Sequence, residues 1–159
     1  MSIKYAEEYS NPEKIRVTAL LVLASALVVI VGIKWLFPFI GWYVDTVHCH
    51  TPFGYSGISV LWYSMFVGMP LFGAILIGLF TLPIGIKGFV HGQFPPRGVK
   101  VLRPTKILTG WRANLKSGAH VSIPIFLILF SIWGYFQVDK MPQEIKNPDY
   151  SVCESKQAH

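Results

Sequence analysis

Over most of this chain apolar residues neither alternate nor recur every third or fourth position. They fill three long blocks, at about residues 17–43, 58–87 and 120–138. A helix that is apolar on every side has no face for water. About 20 such residues, at roughly 1.5 Å rise each, match a hydrocarbon core of about 30 Å. The pattern predicts an all-α integral membrane protein with three transmembrane helices. It divides one membrane domain, residues 1–159, into an N-terminus (1–16), a first loop (44–57), a second loop (88–119) and a tail (139–159).

Each block has its own irregularities. The first contains one charge, Lys34, close to Trp35, Trp42 and Tyr43, so its ammonium is expected to snorkel outward beside an interfacial aromatic belt. From Ile58 to Ile86 the second has no charged side chain but is overlong, and a tilt or a kink at Pro70 would absorb the excess. Gly68, Gly73 and Gly78 recur every five positions there, which permits close packing without forming a one-sided G-x-x-x-G contact. The third places Pro124 near its start and ends on Trp133, Tyr135 and Phe136. Ala24-Ser25-Ala26 has the small-x-small form of a signal-peptide cleavage site. It lies inside the first run, however, and Glu7, Glu8 and Glu13 precede it, so the segment is expected to stay as a span.

Composition agrees: 52% of residues are hydrophobic, 14% are charged, and the mean hydropathy is +0.47. That excludes a disordered segment and an ordinary soluble domain. The net charge of +6 raises the question of nucleic acid, and the distribution of the charges answers it. Lys87 at the end of the second block, and Arg97, Lys100, Arg103, Lys106, Arg112 and Lys116 between it and the third, have no Asp or Glu among them. The first loop has no Lys or Arg, and in the tail Lys140, Lys146 and Lys156 are offset by Asp139, Glu144, Asp149 and Glu154. By the positive-inside rule the second loop and the N-terminus are cytoplasmic, the first loop and the C-terminal tail extracytoplasmic. The +6 then reports orientation, and no nucleic-acid partner is expected. With no organelle-targeting or retention signal recognised, the expected location is a bacterial inner membrane, multi-pass.

Within the basic loop, residues 105–117 place Ile107, Leu108, Trp111 and Leu115 on one arc and Lys106, Arg112 and Lys116 on another. That is the pattern of a short interfacial helix, although Gly110 falls in its middle. Gln93 to Gly98 reads as a turn-rich elbow, and Val99 to Arg103 as a brief extended piece. Arg97, Lys100, Arg103, Lys106, Trp111, Arg112 and Lys116 therefore form a candidate docking surface for anionic lipid head groups or a partner. His91 and His120 bracket the loop and read as interfacial histidines rather than a shared metal site.

Candidate chemistry is concentrated in the first loop at His48-Cys49-His50. Imidazole and thiolate both bind zinc or copper, so the three are a candidate metal site, though adjacent residues chelate poorly because 49 points away from 48 and 50 in an extended chain. Cys49 has a competing use. The chain has two cysteines, topology puts Cys153 on the same side, and in an oxidising compartment the pair is a candidate disulfide that closes a loop of about a hundred residues. No nucleotide-binding glycine motif, nucleophile elbow or H-E-x-x-H occurs, so an enzyme is not expected and no cofactor is called for. Asp45, His48 and His50 could act as acids or bases but have no nucleophile beside them.

The expected function is therefore binding within the bilayer, with a membrane-protein partner or a second copy. The chain would act as an accessory subunit of a complex or as an immunity-type protector against a membrane-inserting toxin. The alternative is a metal-handling or redox protein using His48, Cys49 and His50. A small homo-oligomeric channel comes third, since Ser59, Ser64, Thr81, Ser122 and Ser131 make only a thin polar stripe.

Overall fold

A computed structural model describes residues 4–145, 148 and 150–155, with the backbone alone at 154 and 155. Lys146, Asp149 and Lys156, three of the charges weighed in the tail, lie outside the described residues. The chain is mostly helical, and three helices are long and apolar enough to cross a membrane: α1 (Asn11–Asp45), α2 (Gly57–His91) and α3 (Trp111–Val138). A short helix, α4 (Ser151–Ser155), follows. The two-residue strands β1 (Gln93–Phe94) and β2 (Leu108–Thr109) pair antiparallel between α2 and α3.

All three helices outrun the predicted blocks because their polar ends carry their own start signals. Before α1, Ser10 and Glu13 form half of a capping box: the Glu13 carboxylate accepts from the Ser10 backbone N–H at 2.8 Å, and Pro12 fills a first-turn position where its missing N–H is no loss. Ser56 caps α2, its hydroxyl accepting from the Ser59 N–H at 3.2 Å. The largest departure is at α3. The expected interfacial helix over 105–117 and the third span from 120 are not separate elements; one helix runs unbroken from Trp111. Gly110 is the reason, since it stands outside the helix with φ +64°, a conformation open to glycine, and its carbonyl accepts the first helical bond from Asn114. Upstream, Leu108 and Thr109 are strand residues.

Two of the helix prolines follow widened turns. The stretches Gly32–Leu36 in α1 and Ser64–Gly68 in α2 are π-helical, with Phe37 N–H bonded to the Gly32 carbonyl and Met69 N–H to that of Ser64. Pro38 and Pro70 follow directly. A proline cannot donate to the carbonyl four residues back and its ring presses on that carbonyl; one extra residue in the turn moves it aside. A π turn thus precedes Pro70, where a tilt or a kink was expected, and another precedes Pro38.

By internal contacts the chain forms two units, residues 1–24 with 71–128, and residues 25–70 with 129–159. In the first unit α2 and α3 meet on small residues. A Cβ at Gly85 would lie 2.7 Å from Val121 Cγ2 and 2.8 Å from the Ser117 carbonyl, and one at Gly88 would collide with Ser117 Oγ. Residues 4–9 lie along the basic loop: Ala6 N–H donates to the Thr105 carbonyl at 2.9 Å, Ile107 N–H to that of Lys4 at 3.0 Å, and Val101 N–H to that of Glu7 at 2.9 Å. In the second unit Gly134 closes on the Phe66 backbone, and Ser131 Oγ donates to the Val67 carbonyl at 3.0 Å. Val47 and Val138 are its buried hydrophobic residues among those described.

Burial is sparse elsewhere. In the most apolar 18-residue window of α1 no residue is buried, against 11% in α2 and 22% in α3.

Candidate functional site

The first loop is built around two polar anchors. At the end of α1 the Thr46 hydroxyl donates to the Trp42 carbonyl at 2.7 Å and stands 2.9 Å from His50 Nε2. Its one hydrogen is spent on the carbonyl, so Nε2 is the donor of that second bond. The His50 ring lies parallel to Tyr43, 5.6 Å between centroids, and 5.0 Å from Trp42. Its carbonyl accepts from the Gly57 N–H at 2.8 Å. His50 is therefore held in an aromatic niche that joins the end of α1 to the start of α2.

His48 and Cys49 lie on a 3₁₀ turn, Val47–Cys49, and face a different neighbour. Cys49 and Cys153 are disulfide-bonded with Cα atoms 5.7 Å apart across 104 residues of sequence, a Cα spacing in the usual range for such bonds. The His48 ring stands edge-on to Tyr150 at 5.6 Å. One nitrogen of His48 and the two sulfurs lie within 4.8 Å of one another. Of the three adjacent residues considered for a metal, the fold sets His48 and Cys49 beside Cys153 and engages His50 with Thr46 and Tyr43. Beside this cluster is a cleft of about 400 Å³, lined among others by His48, Ser56, Gln143, Glu144 and Tyr150.

The docking residues of the second loop fall into two groups. Lys100 is engaged, with its ammonium 3.0 Å from Glu13 Oε1 and 3.9 Å from Glu7 and 5.7 Å from the centre of the Tyr9 ring. The hydrogen bond to Glu13 holds its pKa above the ordinary lysine value, so it stays charged across the neutral range. Arg97, Arg103, Lys106, Arg112 and Lys116 are exposed, as is Trp111. Arg112 lies over the Trp111 ring and Lys116 over Phe94. Lys106 is also paired through its backbone, in an antiparallel bridge to Tyr5. A loop free of acidic residues in sequence is thus partly neutralised in space by the N-terminal acids, a partnership about ninety residues distant in sequence that no local pattern marks. At the ends of the loop His91 Nδ1 accepts from the Arg97 N–H at 3.1 Å, while His120 Nδ1 is 2.8 Å from the Lys116 carbonyl.

Two further features escape the sequence. Phe53 is 97% exposed and has φ +56°, a left-handed conformation that costs a bulky residue of the order of 1 kcal/mol. An apolar groove of about 400 Å³ lies between the ends of α1 and α2, lined by Phe39, Tyr43, Val60, Met65 and Met69 among others. Comparison with protein-family models, curated proteins and solved structures finds no match.

Proposed function

We propose that this chain is a small non-enzymatic inner-membrane protein that acts by binding another membrane protein within the bilayer, as an accessory subunit or as an immunity-type protector. The carrying observation is α1: a 35-residue helix whose most apolar window has no buried residue. Lipid or a partner helix can cover such a surface, because lipid tails are as apolar as leucine. Two neighbouring features favour a protein on it. The groove beside its C-terminal half is lined in part by Met65 and Met69, side chains that adapt to irregular surfaces, and the exposed Phe53 is held in a backbone conformation that costs energy. In this reading the N-terminus and basic loop face the cytoplasm, the first loop and tail face outward, and Arg97, Arg103, Lys106, Arg112 and Lys116 meet anionic head groups.

The test is native mass spectrometry of the tagged protein from its own membrane in mild detergent, with a photo-crosslinker at Val28, which is 71% exposed. A second polypeptide or a second copy in stoichiometric amount, crosslinked through Val28, is expected. A bare monomer whose only Val28 adducts are lipids would overturn the reading.

A further inference from the structure

The cluster at His48, Cys49 and Cys153 has a composition that a purely structural disulfide does not need. The two sulfurs are supplied by a 3₁₀ turn and by α4, and the imidazole lies on the same turn, its ring set against Tyr150 from the segment that delivers Cys153. Among the described residues it is the one group of three potential metal ligands, with all three ligand atoms within 4.8 Å of one another. Both sulfurs are consumed by their mutual bond, so the group cannot take a cation in this state. Reduction changes that. A dithiol reductant passes two electrons and two protons to the bond, leaving two thiols here and a disulfide on the reductant.

We propose that the reduced form of this cluster is a binding site for a thiophilic d¹⁰ cation, zinc(II) or copper(I), held by Cys49 Sγ, Cys153 Sγ and one His48 nitrogen. Two thiolates and an imidazole are the donor set that such ions select. With metal–sulfur bonds of about 2.3 Å and metal–nitrogen bonds of about 2.0–2.1 Å, ligand atoms around a tetrahedral ion lie roughly 3.4–3.8 Å apart. That spread lies within the 4.8 Å envelope, and the two sulfurs would move apart once their bond is cleaved. Zinc binding displaces the two thiol protons. A fourth position is left for water from the cleft that His48 also lines. His50 is outside the set because its Nε2–H is committed to Thr46.

Disulfide and metal are then alternative occupants of one place. A small-molecule disulfide that oxidises the loaded site takes two electrons from the thiolates, forms the Cys49–Cys153 bond, leaves as two thiolates and expels the cation. The site converts a thiol oxidant into metal release, while the tail stays tied to the first loop in either state.

The experiment uses the full chain in nanodiscs, oxidised or reduced with a phosphine that is then removed under anaerobic conditions. Each sample is given zinc, desalted, and assayed for metal by mass spectrometry. About one zinc per chain is expected after reduction and essentially none before. His48→Ala should weaken binding at least about tenfold and His50→Ala should not. Cobalt(II) added to the unmodified reduced protein should give a thiolate-to-metal charge-transfer band, a readout independent of how any variant folds. Absence of that band, equal zinc in both redox states, or equal losses in the two histidine variants would overturn the proposal.

Discussion

Ser117 and Ser131 are both buried on α3, at 0% and 3% exposure, and their hydroxyls have different surroundings. Ser131 Oγ bonds the Val67 carbonyl, whereas Ser117 Oγ has no hydrogen-bond partner among the described residues and presses into the space over Gly88. A buried hydroxyl without a partner carries its desolvation cost uncompensated, and a bonded one returns a modest gain. Ser131→Ala is expected to lose about 0.5–1.5 kcal/mol of stability, toward the low end if the bonds of membrane helices are typical. Ser117→Ala should leave the melting temperature unchanged or raise it. Thermal unfolding of the two variants in one detergent checks the contrast. The same local logic separates the first-loop histidines, alike in sequence and two residues apart, by what the chain packs around each.

At the level of elements, the three apolar blocks were readable because a span has to be apolar on every face, a constraint that survives any packing arrangement. Helix ends were less so. Gly110 looked like a weak point inside a short interfacial helix because local periodicity ignores φ; its positive φ makes it the residue before the helix instead. Pro70 marks an irregularity in the sequence, since the proline removes a donor, yet its form as a widened turn depends on the backbone around it, and Pro38 lies in an apolar run where no local pattern marks a second. Cys49 and Cys153 could be matched by counting cysteines and spans, while the placing of His48 with them and His50 away required the 3₁₀ turn. The span assignment itself makes a prediction: fusions ending near residue 54 and at 159 should give alkaline phosphatase activity, and one ending near 100 should fluoresce with green fluorescent protein. The reverse pattern would invert the orientation, and a mixed one would remove a span.

For the molecule as a whole, the strongest tether is the Cys49–Cys153 bond. In the chain-entropy account a loop of that length contributes about 4–5 kcal/mol, and on the proposed topology the gain should be smaller because lipid would already confine the helices. Cys153→Ser is therefore expected to lower the midpoint of unfolding by less than that figure allows, with reduced protein running differently from oxidised on gels. A second tether, residues 4–9 on the basic loop, holds the other end of the chain. Both tethers obey one arithmetic. Two ends of a chain can touch on one side of a membrane only if an even number of crossings lies between them, and two helices separate each pair: α1 and α2 for the N-terminal strap, α2 and α3 for the disulfide. On the proposed topology the cystine keeps a record of biogenesis, because it can close only after α2 and α3 have both crossed and Cys153 has reached the side of Cys49. On that topology the appearance of the oxidised form of a newly made chain marks a time by which both helices have been inserted.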